Sequence, residues 1–321
     1  MKLRFELYLT DGAAQREHAG QMNSLMTNPV ALTVFLPLIL GLVLGAVLLF
    51  SRGSALVNLL GWATGLLFIY WLLEGVPPLP PIASKQKLGY LFLLAGPLGV
   101  AFDRFLSGGK NGWLAAVLPL IAVLVWLGWS KIISGSASSE IAVLMGIVVV
   151  VLLSAGMLNA GTATKALAVE SQPEQTFLAP AAWMLTAIAG SIVSVAGLFL
   201  GMGQMLGAFA AMTGGVLLVS YAALLTKGTT IPVFTPASAY TVGFAISSTI
   251  ILTTLFGPEP NKLSLMILSL TPLMPLAVTR WVSARLPKTP FLRPILAGAI
   301  IAIPAILASL FAILTGTSPF A

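Results

Sequence analysis

The feature that most limits how this chain can fold is a succession of apolar runs, each about 20 residues long, from Val30 to the C-terminus. About 20 helical residues cross the ~30 Å hydrocarbon layer of a bilayer. The runs are apolar on every side, whereas barrel strands would alternate with period two. Only 8% of the residues are charged, against roughly 25% in a soluble domain. The chain therefore reads as an all-α polytopic integral membrane protein, with the lipid bilayer as its first partner.

Spans are placed at 30–50, 55–73, 88–105, 113–130, 141–158, 178–200, 205–225, 237–256, 263–281 and 294–314, about ten in all. The break between the sixth and seventh is set at the uncharged Gly201–Gln204, and the third span is expected to be short and kinked at Gly96-Pro97. Trp71, Trp113, Trp126, Trp129, Trp183 and Trp281 fall near span ends and read as interfacial anchors.

A proline-rich link, Pro77-Pro78-Leu79-Pro80-Pro81-Ile82-Ala83-Ser84, has an echo at Ile231-Pro232-Val233-Phe234-Thr235-Pro236-Ala237-Ser238. Weaker matches keep the same order at a similar offset: Asn28-Pro29 with Ala179-Pro180, Thr64-Gly65 with Thr213-Gly214, Pro119 with Pro272, and Trp129 with Trp281. The organisation that follows is a polar tail at 1–28, a five-helix repeat at 29–158, a polar linker at 159–177 and a second five-helix repeat at 178–321. A five-span unit begins and ends on opposite faces, so the second copy enters the bilayer upside down. This is a 5+5 inverted-topology repeat, a plan common among secondary transporters.

The tail begins with charged residues and lacks an apolar segment, so it is not read as a cleavable signal peptide. Lys2 to Thr10 alternates polar and apolar, and Asp11-Gly12 supplies a turn. Leu3, Phe5, Leu7 and Leu9 form the apolar face of a short strand that would dock on a protein partner or a second copy of the chain.

The net charge of +7 is spread over short loops, which fits membrane topology rather than a nucleic-acid partner. The densest basic cluster, Arg280 to Arg293, places that loop in the cytoplasm and the chain in the plasma (inner) membrane. There is no cysteine, and the only histidine, His18, lies in the tail. These facts argue against thiolate metal sites, iron–sulfur clusters and a bis-histidine haem, and no cofactor or metal is expected. Glycine–lysine phosphate loops are absent too, and the spans hold no paired carboxylates. No enzymatic activity is expected, and a lipid-modifying enzyme ranks last for want of catalytic residues.

Backbone devices and hydroxyls remain. Pro119, Pro272 and Pro275 each remove an amide from a span and free a carbonyl four residues back, that of Thr271 among them. The eighth span is rich in hydroxyls, including Thr241, Ser247 and Ser248, while Thr64 and Thr213 occupy matched positions in the two halves. Glu74, beside the first proline link, is the candidate coupling carboxylate. Together these residues predict a substrate path between the fourth and ninth spans, flanked by the third and eighth. The function expected is a permease for a small uncharged or zwitterionic solute, working by alternating access. The alternative is a non-catalytic membrane subunit or scaffold docked through the N-terminal strand.

Overall fold

A computed structural model describes residues 28–51, 54–107, 112–135, 141–142, 144–149, 175–228, 232–287, 289 and 291–316. All regular structure among them is helical. The docking face of Leu3, Phe5, Leu7 and Leu9 lies outside the described residues, as does most of the fifth span and of the linker.

We number the helices α1 (Ala31–Phe50), α2 (Ala55–Glu74), α3 (Ser84–Ser107), α4 (Gly112–Ile133), α5 (Gln175–Ala196), α6 (Leu200–Lys227), α7 (Pro236–Phe256), α8 (Lys262–Arg285) and α9 (Leu292–Thr315). Seven of them, α1, α2 and α5 to α9, are long and apolar enough to cross a membrane. The molecule is a multi-pass membrane protein.

Helix ends follow local chemistry. Gly75 (φ 76) closes α2 and Gly228 (φ 62) closes α6, using a left-handed backbone that costs glycine nothing. Thr235 and Ser238 form a reciprocal capping box at the start of α7, with Pro236 at its first position. Asn261 caps α8 by accepting the Ser264 amide at 2.8 Å.

Three expectations are corrected. The break between α5 and α6 falls at residues 197–199, where Leu198 adopts φ 61, and Gly201–Gln204 lies inside α6. The helix α3 is not short: it runs for 24 residues, with Pro97 inside it. Trp183 is no interfacial anchor, because its ring is buried against Gly243 of α7.

Burial orders the helices around a centre. In α7, 94% of the apolar window lies inside the protein, against 28% in α1 and 39% in α9. A helix apolar all round is a core element, and α7 is packed by α2, α3, α4, α5 and α6. Its C-terminal end is held from α4, where the Lys131 ammonium donates to the Leu255 carbonyl and sits 5.1 Å from the Phe256 ring centre. A positive charge is favourable at a helix C-terminus.

The outer pairs are α1 along α6, α5 along α6, and α9 along α5 and α8. The first is a backbone seam, in which Gly41, Gly45 and Gly215 let the two helices touch. The two halves are not packed alike among the described residues: α1 lies along α6, but α5 has no comparable contact with α2.

Candidate functional site

The second proline link enters the bundle. Residues Val233 to Thr235, which lead non-helically into α7, are all buried, so the carbonyls of this stretch that the helix itself does not satisfy need partners inside the protein. They come from α2. The Asn58 amide donates to the carbonyls of Pro232 and Val233, both at 3.1 Å, and the Trp62 indole N–H donates to Val233 at 3.1 Å. The Trp62 ring also meets Phe234 edge-on at 4.9 Å. Neither residue stood out in sequence, although Asn58 is a lone amide within an apolar run and was the available signal.

The first proline link lies outside the bundle. Leu79 and Ile82 are exposed, the Tyr90 hydroxyl donates to the Pro78 carbonyl at 2.8 Å, and Gln86 Oε1 accepts the amides of Ile82 and Ala83. Both links join the second helix of their half to the third, so the motifs match in order but not in environment.

The hydroxyl-rich helix is the buried one. Thr241 Oγ1 lies 2.9 Å from the Ala237 carbonyl and 3.1 Å from that of Ala95, tying α7 to α3. The contact is close because Gly99 faces it: a Cβ there would meet Thr241 Oγ1 at 2.4 Å. Ser248 donates to the Phe244 carbonyl at 2.7 Å, and Ser247 is buried beside it in sequence. Thr253 approaches Ser194 of α5 at 3.2 Å, oxygen to oxygen. Thr213 is buried in α6 and bonded to its own helix at Phe209, whereas Thr64 faces outward on α2 and donates to Leu60. The matched pair Thr64 and Thr213 therefore does not share an environment.

The ninth span breaks as its prolines require. In α8 the helix runs from Lys262 to Leu268, tightens to a 3-10 turn at Thr271–Leu273, and resumes at Met274–Ala277 before a wide turn at Val278–Val282. The carbonyl that Pro275 was expected to free, that of Thr271, accepts the Met274 amide. Tightening of the turn has repaired it. Thr271, Pro272 and Pro275 are all buried.

Pro119 is not brought to this break. The helix α4 that carries it packs on α3 and α7, while α8 packs on α5 and α9. The expected meeting of the fourth and ninth spans is thus not assembled among the described residues. Instead α7 and α8 approach one another across Gly190 of α5, which lies against Ile250 on one and Leu268 on the other.

Glu74, at the end of α2, pairs with Lys85 in the first turn of α3 at 2.8 Å, close to Gly201 at the start of α6. The lysine side chain is half exposed. Such pairs contribute about 0–1 kcal/mol, so Glu74→Gln is expected to shift thermal unfolding of the purified protein by no more than a few degrees. A loss as large as that of a core truncation would mean the carboxylate has a further partner. Among the described residues no three His, Asp or Glu side chains gather to hold a metal ion.

Compared with protein-family models, curated proteins and solved structures, the chain matches none.

Proposed function

We propose that this protein is a secondary transporter, a permease for a small uncharged or zwitterionic solute that works by alternating access and performs no chemistry on its cargo. One observation carries the reading. An almost wholly buried helix, α7, brings Ser238, Thr241, Ser247, Ser248, Thr249, Thr253 and Thr254 into the middle of an apolar bundle and is entered from a buried, non-helical link. Irregular backbone at depth is tolerated where protein or a polar cavity receives it. Hydroxyls whose protons are bonded back to the helix keep lone pairs that can accept from a passing solute.

The duplicated plan belongs to the same proposal. Ten spans as five plus five, the second inverted, is supported by the shared position of the two proline links and by the packing of α3 on α7, the third helix of each half. The plasma membrane, with the Arg280–Arg293 loop cytoplasmic, is the proposed setting.

The test is uptake by proteoliposomes of a panel of labelled neutral and zwitterionic solutes, among them a polyol, a sugar, an amide and an amino acid. Solute flux is expected, and Thr241→Val is expected to lower it about tenfold, the worth of one hydrogen bond of ~1.4 kcal/mol. Flux unchanged in Thr241→Val, and in Thr271→Ala, Pro272→Ala and Pro275→Ala, would remove the proposed path. No flux of any solute would remove the permease.

A second reading is favoured by the back-bonding of Ser248, Thr249 and Thr254 to carbonyls of α7 itself, which gives those hydroxyls a purely structural use. On that reading the chain is a membrane subunit of a larger complex, docked through Leu3, Phe5, Leu7 and Leu9. Deleting residues 2–12 would then release a co-purifying partner.

A further inference from the structure

Thr271 differs from the other buried threonines in one respect. Thr186, Thr213, Thr249 and Thr254 each donate to the carbonyl four residues back. Thr271 has no such bond: the chain turns into 3-10 geometry here, with the Ile267 carbonyl accepting the Leu270 amide at 3.0 Å. Its side chain is fully buried, and Oγ1 has no hydrogen-bond partner among the described residues. The next residue, Pro272, has no N–H to offer the Leu268 carbonyl. A hydroxyl without a partner and a carbonyl deprived of its helical donor thus belong to the same turn of chain.

Contacts with α5 place this turn in the bundle. Gly190 lies against Leu268, and Leu178 and Ala182 cluster with Val278, so α8 runs antiparallel to α5. Thr271 then falls opposite residues 187–189 of α5, within one turn of Thr186, whose proton is committed to Ala182 and whose lone pairs remain as acceptors.

The charges around the break select the guest. The first half of α8 ends here, and a helix C-terminus carries partial negative charge. Within α8, the nearest basic residues are Lys262 and Arg280, each nine positions away along the chain, or roughly 14 Å of helix. A divalent ion would need carboxylates, and neither α5 nor the segment Lys262–Arg285 contains Asp or Glu. Hydroxyl and carbonyl oxygens without a fixed charge suit a monovalent cation, as unwound backbone carbonyls do in known secondary transporters.

We propose that the break in α8 is a Na+ site, with Thr271 Oγ1 and the Leu268 carbonyl as ligands and Thr186 Oγ1 within one turn of that level on α5. Its service as a coupling ion rests on the permease reading; the binding itself does not.

The full chain, purified in detergent, is melted in NaCl, KCl or choline chloride at equal ionic strength, and 22Na+ binding is measured by scintillation proximity. Na+ is expected to raise Tm by roughly 3–5 °C over choline at saturation. Thr271→Val abolishes the shift, Thr271→Ser keeps it, and Ser264→Ala, which removes another buried hydroxyl of α8, leaves it intact. Pro272→Ala restores an amide to the Leu268 carbonyl and weakens 22Na+ binding at least about tenfold. Identical melting in Na+ and choline, or a full Na+ shift in Thr271→Val, overturns the site and leaves a buried water as the partner of Thr271. Should Thr271→Val fail to fold, Thr271→Ser and Pro272→Ala decide the matter. Na+ binding without flux of any solute defeats the permease alone; flux without Na+ binding defeats the ion site alone.

Discussion

Gly41→Leu is expected to prevent α1 from seating on α6 and to abolish the monodisperse protein peak on size-exclusion chromatography. A Cβ at Gly41 would lie 2.0 Å from the Met212 carbonyl oxygen and 3.0 Å from Met212 Cα. Both are backbone atoms, so no side-chain rotation makes room. Across the seam, a Cβ at Gly215 would lie 2.5 Å from the Leu38 carbonyl oxygen, so the closeness is mutual. Lipid tails are as apolar as leucine, and helices in a bilayer associate through van der Waals fit. Forcing them apart therefore removes the attraction as well as adding strain. Overpacking in a close-packed interior costs about 1–3 kcal/mol, and more where the backbone must move. Gly61→Ala is the contrast, because its Cβ would meet only the Leu44 side chain, at 2.3 Å from Cδ1. That variant is expected to stay folded with a lowered Tm. Equal losses in the two would show that the α1–α6 seam is not limited by its backbone.

The second large effect is expected from Trp62→Ala. The indole is fully buried, meets Phe234, and donates to the Val233 carbonyl. Truncating a buried aromatic costs about 3–5 kcal/mol, and a buried carbonyl losing a donor adds about 1–3 kcal/mol. The link into α7 should then detach from α2, leaving Asn58 alone to hold it. Thermal unfolding in detergent is expected to show a loss of roughly ten degrees or more. Trp62→Phe separates the two contributions, since it keeps most of the packing and deletes only the N–H. If Trp62→Phe were as damaging as Trp62→Ala, the hydrogen bond and not the ring would anchor the link.

These residues also show what can be read from a sequence of this kind. Helices in a bilayer were legible because runs of about 20 apolar residues have few other folds open to them. The ends set at 73, 225 and 237 fall within three residues of Gly75, Gly228 and the Thr235-Pro236 cap, where the helices do end or begin. The turn at Leu198 was not, since leucine rarely adopts a left-handed backbone. Gly201 and Gly203 looked like a connection, but Gly203 is a packing glycine: Ser191 of α5 donates to its carbonyl at 2.7 Å, and a Cβ there would strike Val195. The third span was set to begin at 88, yet α3 starts at Ser84 and takes in Lys85 and Lys87, the latter donating to the Trp126 carbonyl at 2.8 Å.

The candidate site was legible only in part. The hydroxyls of α7 and the prolines of α8 announce themselves by residue type. Which of them meet depends on α5, which stands between the two helices. The pairing of Asn58 and Trp62 with a link more than 170 positions away carries no local signal at all.

The burial of α7 has a mechanical consequence. Enclosed by other helices, this segment is insulated from changes in lipid thickness or lateral pressure. Such forces act on the outer members of the bundle, α1 foremost, with α2 and α9 next. From α1 they are handed inward across the glycine contact with α6, a joint too tight to slip gradually. Membrane tension would therefore reach the hydroxyl-bearing centre as a rigid displacement of whole helices, not as a soft deformation of the helix itself.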